Sequence, residues 1–197
     1  MNQDVHQQRF LAFDLEMTGL SPQRDSIIEI GAIPMLGSKT DGDCFFSNMQ
    51  PYTSVSAESK RIHGIDSDDL WESPPAEFVL PKLFEMMKGR VLLGQKPELD
   101  LAFLWSAAKK VGGDIPIDWA IDIAKLFTIP FPNQHSFSLD AMARRVGIGV
   151  DRKFHNALQD ARITARIFGR ILPRIQKKGI YSIGKIIAAG KVKAREY

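Results

Sequence analysis

The first fifty residues of the chain constrain its fold most strongly, because they hold three short β-rich segments joined by short turns. The segments cover residues 10–15, 27–35 and 44–49, and glycine, proline, serine and aspartate fill the links between them. Strands that follow one another at this spacing favour an antiparallel meander. We therefore expect the chain to open with three antiparallel strands.

Helix and strand patterns alternate after this opening. Helices are predicted over residues 73–88, 98–111, 138–146 and 156–172, and strands over residues 90–94 and 117–121. Ser73 is the expected cap of the first helix, Pro81 is expected to kink or interrupt it, and Pro173 is expected to stop the last helix. This order predicts an α/β fold in which parallel units are joined to the meander.

Composition excludes several classes of protein. A chain of 197 residues with 44% hydrophobic and 25% charged residues is an ordinary globular domain. Cys44 is the single cysteine, which excludes an intramolecular disulfide framework and a cysteine-cluster zinc site. The segment MNQDVHQQRF has no apolar core of a signal peptide, and no apolar run reaches membrane-spanning length. We expect a cytoplasmic protein with no membrane partner.

Charge is distributed unevenly along the chain. Residues 1–141 contain 12 basic and 20 acidic residues, whereas residues 142–197 contain 14 basic and 3 acidic residues. A basic end favours an anionic partner, and an acidic body favours chemistry with cations. Composition alone does not choose between the two.

Asp14 and Glu16 form the first candidate site. They stand two positions apart on a predicted strand, so their carboxylates point to the same face. Neighbouring carboxylates repel unless a cation or a proton lies between them, and Mg²⁺ and Mn²⁺ take such oxygen ligands. A bare Asp-x-Glu is more often a pair of solvated acids, so this pair needs support from elsewhere.

His155 and Asp160 form the second candidate site. Five residues apart, they would not share a face of one continuous helix, so His155 is expected in the loop that enters the helix. Asp160 falls on the apolar arc of that helix, where an unpaired carboxylate is costly and a metal would compensate it. Asp100 is a third candidate acid, because it lies in an apolar helical stretch just after a predicted strand. It could equally be an acid of the first helical turn, where a negative charge stabilises the helix.

These motifs occur in the order Asp-x-Glu, Asp, His-x-Ala-x-x-Asp. The three in this order are a far more specific signal than any one of them alone. The chain resembles the DEDDh group of 3′→5′ exonucleases, most closely its DnaQ branch, the proofreading subunit of bacterial DNA polymerase III. The resembling segments are FDLEMTGL at 13–20, IIEIGAI at 27–33, IHGID at 62–66, LDLAFL at 99–104, SLDAMARRVGI at 138–148 and HNALQDA at 155–161.

The resemblance implies an RNase H-like fold, with a mixed five-stranded sheet and flanking helices. We place this exonuclease domain at residues 1–172 and expect residues 173–197 to be a docked basic appendage or a mobile tail. The implied ligands of two Mg²⁺ or Mn²⁺ ions are Asp14, Glu16, Asp100 and Asp160, with His155 as general base. The implied substrate-binding residues are Met17, Thr18, Gly19, Leu20 and His63, although His63 could also be an ordinary turn histidine.

The sequence departs from the family just before Asp100. Many relatives carry His-Asn-x-x-Phe-Asp there, and this chain carries Gln95-Lys96-Pro97-Glu98-Leu99-Asp100. The implied metal ligand is kept, while the polar pair and the aromatic residue are replaced. The departure therefore concerns how the nucleic-acid strand beyond the terminal nucleotide is held.

The expected activity is release of nucleoside 5′-monophosphates from single-stranded nucleic acid, with DNA as the expected substrate. An RNA-directed enzyme resembling oligoribonuclease or RNase T stays open, because LEMTGL also resembles oligoribonuclease and ribose recognition cannot be read from sequence. A non-catalytic module that binds nucleic acid or polymerase is the alternative from another class. The expected partners are 3′ ends of single-stranded DNA or RNA, and a DNA polymerase subunit or a second copy of the chain stays open.

Overall fold

The computed structural model describes residues 4–151 and 153–194. Within that part of the chain the strands are β1 (Arg9–Met17), β2 (Ile27–Leu36), β3 (Lys39–Thr40), β4 (Phe45–Asn48), β5 (Val91–Gly94), β6 (Trp119–Asp122) and β7 (Lys191–Lys193). The α-helices are α1 (Ala57–His63), α2 (Ala76–Met87), α3 (Glu98–Lys110), α4 (Ile123–Thr128), α5 (Leu139–Arg145), α6 (Ala157–Gln176) and α7 (Ile183–Gly190). Two 3₁₀ turns cover Val5–Gln7 and Asp68–Leu70.

One mixed sheet contains all the described strands, in the order β3-β2-β1-β5-β6-β7, with β4 also paired to β2. β1 is antiparallel to β2 and parallel to β5, and β5 is parallel to β6. The predicted α/β class, an antiparallel meander joined to parallel units, is confirmed. The strand count is seven rather than five, because β3 and β4 share one edge of β2 and β7 adds antiparallel to β6.

One prediction about α2 is wrong. The helix begins at Ala76 with Pro75 at its cap position, so Ser73 does not cap it. At Pro81 the helix continues without interruption. Pro81 has no N–H, so the Glu77 carbonyl loses its partner within the helix. Both residues are exposed, so water can donate a hydrogen bond to that carbonyl. The opposite side of the helix packs on the core.

The prediction that Pro173 stops α6 is also wrong, because the helix runs on to Gln176. Pro173 faces solvent, and the buried Ile171, Leu172 and Ile175 hold the last turn on the core. After α6 the chain forms α7 and β7, and β7 pairs with β6. The division of the chain after residue 172, with an appendage or a tail beyond it, stays a prediction.

The core lies in two layers, one on each face of the sheet. On one face, α4, α5, α6 and α7 cover Phe10 and Ala12 of β1. On the other face, α2 and α3 cover Leu11, Phe13 and Leu15. The helices α1, α4 and α7 were not predicted, because each is only 6 to 8 residues long and such short segments give little periodic signal. No helix within the described ranges has the length and apolar character needed to cross a bilayer.

Gly31 of β2 lets the start of α6 lie directly on the sheet. A Cβ atom added at Gly31 would stand 2.3 Å from the backbone carbon of Ala157, a distance that real Cβ atoms do not reach. Gly31 pairs with Asp14 in the β1–β2 register. The glycine therefore sets how close the first turn of α6 comes to the acids of β1.

We predict that Gly31→Ala destabilises the protein by about 1–3 kcal/mol, because a methyl group without space forces the helix and strand apart. Gly149→Ala is the matched control, since a Cβ there meets nothing within 4 Å and its φ is not positive. Urea unfolding of both variants checks the prediction. Equal stability of the two alanine variants would contradict the proposed close contact.

Candidate active site

The carboxyl end of β1 carries Asp14 and Glu16 on the face that α6 covers. Phe10 and Ala12, at alternate positions before them, belong to the core on that side. Because alternate residues of a strand point the same way, both carboxylates point toward α6. Glu16 is 7% exposed, so its carboxylate is largely removed from water. Both acids lie on a continuous strand, as the sequence predicted.

His155 and Asp160 reach the same place from the start of α6. The Asn156 side chain caps the helix by accepting a hydrogen bond from the Gln159 N–H at 3.1 Å. His155 therefore lies in the loop before the helix, and Asp160 lies in the first turn with 3% of its surface exposed. Asp160 Oδ2 is 3.1 Å from His155 Nδ1. The predicted placement of His155 in the loop before the helix and of Asp160 within its first turns is confirmed.

Glu16, His155 and Asp160 form the cluster with metal-binding geometry. One donor atom from each residue lies within 4.8 Å of the other two. Two buried carboxylates this close are stabilised by a divalent cation, and hard oxygen ligands suit Mg²⁺ or Mn²⁺. Among the described residues, Asp14 and Asp100 do not belong to a cluster of this spacing. The carboxylates of Glu16 and Asp160 therefore fit the expected metals, and they are the two predicted ligands that the cluster contains. His155, the third donor of the cluster, is predicted as the base beside them.

Asp100 lies in the first turn of α3, directly after β5, and is 8% exposed. Because β5 is parallel to β1, the C-terminal ends of both strands lie at the same end of the sheet. The first turn of α3 therefore begins at the end of the sheet that carries Asp14 and Glu16. Burial, and then the negative charge of Glu98, raise the pKa of Asp100 to about 7. In metal-free protein, Asp100 is therefore a costly charge near neutral pH.

The turn before Asp100, where the sequence departs from its relatives, is held by a buried carboxylate. Asp122 Oδ1 accepts hydrogen bonds from the Lys96 N–H at 3.1 Å and from the Ala124 N–H at 2.9 Å. Lys96 has a left-handed backbone, with φ of 53°. Gln95 Nε2 donates to the Phe137 carbonyl at 3.0 Å. Gln95 and Lys96, the two residues that differ from the family pattern, thus connect the turn before α3 to Phe137 and Asp122.

The loop that carries His155 is anchored by the end of α1. The His155 N–H donates to the Ile62 carbonyl at 3.0 Å. The ring of Phe154 lies where a side chain at Gly64 would be, with ring atoms 3.0 Å from the added Cβ position. Gly64 ends α1 with φ of 76°, a conformation that favours glycine. The His155 backbone is therefore held in place by α1.

His63 is the last residue of α1 and is 5% exposed. Its Nε2 lies 3.2 Å from the Met17 carbonyl, and its Nδ1 accepts from the Ile65 N–H at 3.1 Å. Burial is the main cause that lowers the pKa of His63. These bonds favour a neutral ring that positions the backbone after Glu16. Contact of His63 with substrate stays a prediction.

The other predicted substrate residues follow β1. Thr18 is fully buried, and its hydroxyl accepts from the Ser26 N–H at 2.9 Å and lies 3.1 Å from the Thr53 hydroxyl. Leu20 is 70% exposed at the end of this turn. The Thr18 side chain therefore stabilises the turn, while Leu20 is accessible to a ligand. Substrate contacts of Met17, Thr18, Gly19 and Leu20 stay predictions.

Glu29 and Asp122, two buried acids near the site, were not identified from the sequence as candidate site residues. Glu29 stands inside the apolar segment IIEIGAI of β2, and Asp122 ends the apolar strand β6. Burial is the largest influence on both side chains and raises the pKa of each. A single acid in an apolar segment, the signal that marked Asp160, was present at both positions.

A family model supplies the decisive comparison. The model RNase_T, described as Exonuclease, matches residues 11–168. The chain belongs to this exonuclease family. The matched segment contains the acids of β1, Asp100 and the His155–Asp160 pair, so all five predicted catalytic residues lie within the family domain.

Curated relatives of this exonuclease domain include DNA polymerase III proteins. The chain is 34% identical over 177 residues to DNA polymerase III PolC-type of Caldanaerobacter subterraneus subsp. tengcongensis, covering 90% of this chain and 12% of that protein. It is 30% identical over 170 residues to DNA polymerase III subunit epsilon of Buchnera aphidicola subsp. Baizongia pistaciae, covering 81% and 69%. The exonuclease domain thus spans about an eighth of the PolC-type relative.

Solved structures share the fold at low sequence identity. Exonuclease I of E. coli in complex with a dT13 oligonucleotide matches with a TM-score of 0.77 at 16% identity, covering 88% of this chain and 43% of that one. A 3′-exonuclease in a structure of histone mRNA stem-loop recognition matches with a TM-score of 0.73 at 22% identity, covering 86% and 65%. These similarities confirm the RNase H-like exonuclease fold.

We predict that Asp100→Asn stabilises the metal-free protein at pH 8 by about 1–3 kcal/mol more than it does at pH 5. A raised pKa means that the folded protein binds more protons than the unfolded chain between about pH 4 and 7, so stability falls as pH rises through that window. Urea unfolding in EDTA at both pH values measures the effect.

Asp114→Asn, at an exposed acid in the loop after α3, is the control for a general change of charge. We expect it to change stability by less than about 0.5 kcal/mol at either pH. An Asp100→Asn variant that is equally destabilised at pH 5 and pH 8 would contradict the assignment of a costly buried charge.

Proposed function

We propose that the chain is a metal-dependent 3′→5′ exonuclease that releases nucleoside 5′-monophosphates from single-stranded DNA. The observation that carries this proposal is the cluster of Glu16, His155 and Asp160, whose donor atoms lie within 4.8 Å in a chain of the exonuclease family. Buried carboxylates beside a histidine suit phosphodiester hydrolysis, which needs charge neutralisation and a proton acceptor.

Four carboxylates would hold two Mg²⁺ or Mn²⁺ ions in this proposal: Asp14, Glu16, Asp100 and Asp160. When bound, the metals would supply electrophilic activation of the scissile phosphate and of the attacking water. The carboxylates reach the site from β1, α3 and α6, so the sheet and both helix starts set their relative positions. Glu16, Asp100 and Asp160 are buried, so their side chains are positioned before substrate arrives.

His155 would accept the proton of the attacking water. The Asp160 carboxylate, 3.1 Å from Nδ1, favours the tautomer that carries its proton on Nδ1, so Nε2 would be the basic nitrogen. The side chain of His155 is 51% exposed, and substrate can reach it. The bond from the His155 N–H to the Ile62 carbonyl holds the loop that carries the ring.

DNA is proposed as substrate because the sequence relatives above are DNA polymerase III proteins. RNA is the second candidate, because the solved structure of a 3′-exonuclease with a histone mRNA stem-loop shares the fold. A DNA polymerase subunit is a proposed protein partner, since a PolC-type relative carries this domain within a longer polymerase chain. A homodimer and a cytoplasmic location stay predictions.

The experiment that tests the activity uses matched 5′-labelled single-stranded DNA and RNA oligonucleotides with Mg²⁺, Mn²⁺ or EDTA. We expect a descending ladder on DNA with either metal, weaker cleavage of RNA, and no cleavage in EDTA. A ladder that is stronger on RNA would replace DNA by RNA as the substrate. Absence of cleavage of both nucleic acids with metal would contradict exonuclease activity.

We predict different defects for the metal ligand and the general base. Asp160→Asn removes a ligand charge, so it should abolish both Mn²⁺ binding and hydrolysis. His155→Ala should lower kcat by about 10²–10⁴-fold, while Mn²⁺ binding is largely kept because the base is not a ligand. Calorimetric Mn²⁺ titration and single-turnover kinetics separate the two effects.

Asp114→Asn serves again as the control for loss of an exposed charge. Its Mn²⁺ affinity and kcat should equal those of the unmodified protein. If His155→Ala loses Mn²⁺ as completely as Asp160→Asn, His155 is a ligand and the proposed base is wrong.

A further inference from the structure

Glu29 is a buried acid whose carboxylate binds the start of α6. It lies on β2 and is 4% exposed. Its Oε1 accepts hydrogen bonds from the Ala157 N–H at 2.6 Å and from Asn156 Nδ2 at 2.8 Å. These donors are the first residue of α6 and its N-cap. One oxygen of Glu29 thus connects β2 to a helix start 127 and 128 residues later in the chain.

The position of Glu29 relates this contact to the candidate site. Glu29 pairs with Glu16 in the β1–β2 register, and directly opposed residues of an antiparallel pair point to the same face. His155 precedes the two donor residues, and Asp160 follows them within one turn of helix. A shift of the helix start relative to β2 would therefore move both residues relative to Glu16.

The electrostatics of the contact favour a carboxylate at this point. Burial raises the pKa of Glu29, and the hydrogen bond from the Ala157 N–H lowers it. The N-terminus of a 20-residue helix carries partial positive charge, which stabilises a nearby anion. An apolar side chain at position 29 would leave two donors at the helix start without their acceptor.

We propose that Glu29 is a positioning residue that fixes the start of α6 on β2 and so holds His155 and Asp160 against Glu16. Glu29 does not touch the reacting atoms in this account. It acts through the Asn156 side chain and the Ala157 backbone. Gly31 supplies the space for the contact, and Glu29 supplies the bonds. The metal-binding and turnover parts of the test rest on the proposed function, whereas the exchange part does not.

The test compares Glu29→Leu, Glu29→Gln and Ile171→Ala. Leucine removes the acceptor, whereas the glutamine oxygen can accept both hydrogen bonds and only the charge is lost. Ile171 is fully buried in α6, about 16 Å along the helix from Asp160. Ile171→Ala therefore weakens the packing of the same helix without touching its start, and it controls for general destabilisation.

Metal binding and turnover give the first two readouts. We expect Glu29→Leu to weaken Mn²⁺ binding by about 10–100-fold with an unchanged stoichiometry, since misfolding would lower the stoichiometry instead. Its kcat should fall by a similar factor while KM changes less than about twofold. Glu29→Gln should stay within about threefold of the unmodified protein, because both acceptor bonds can persist.

Hydrogen exchange of the metal-free protein gives the third readout, which needs neither metal nor activity. Glu29→Leu should speed exchange in a peptide covering residues 155–164, and Ile171→Ala should speed it mainly over residues 167–176. If the unmodified protein neither binds Mn²⁺ nor cleaves nucleic acid, the proposed function fails and this comparison still tests the contact.

The proposal is overturned if Glu29→Leu behaves like Ile171→Ala in Mn²⁺ affinity, turnover and exchange. It is also overturned if Glu29→Gln is as defective as Glu29→Leu, because the acceptor bonds would then not be what holds the helix start. Faster exchange confined to residues 155–164 in Glu29→Leu, with recovery in Glu29→Gln, supports it.

Discussion

The close contact between the start of α6 and the β1–β2 pair is the interaction on which the candidate site depends. The acids of β1 point toward α6, and Asp160 and His155 come from its first turn and the loop before it. Because Gly31 has no side chain, the helix backbone lies directly on the strand. A larger separation between α6 and β2 would move Asp160 and His155 away from Glu16.

The site concentrates negative charge in a part of the molecule that is shielded from water. Burial raises the pKa of Asp100, and the 3% and 7% exposure of Asp160 and Glu16 removes most of their hydration. Buried like charges reduce stability unless a cation or hydrogen bonds compensate them. The two apolar layers on either face of the sheet supply the opposing stabilisation.

Backbone contacts from other parts of the chain hold the connections that carry the site residues. The Ile62 carbonyl holds the His155 backbone, His63 holds the Met17 carbonyl, and Asp122 holds the turn before Asp100. Connections are the most mobile parts of a fold unless they are bonded to a rigid element. These bonds let a site built on strand ends and helix starts keep a defined geometry, as catalysis requires.

The sequence by itself determined the local geometry of the site. The two-residue period of a strand placed Asp14 and Glu16 on one face, and the helical period placed Asp160 on the buried side of α6. Signals of this kind need only neighbouring residues. They failed at Pro173, where the helix continues, and α2 likewise continues past Pro81. In both helices packing of the opposite face outweighed a lost hydrogen bond.

Only the tertiary structure decided which distant residues complete the site. Glu29 meets the start of α6 across 127 residues of sequence, and no periodic pattern relates the two segments. The same holds for the antiparallel pairing of β7 with β6. The local sequence period predicts which face of a helix or strand carries a side chain. Which distant residue contacts that side chain depends on how the whole chain packs.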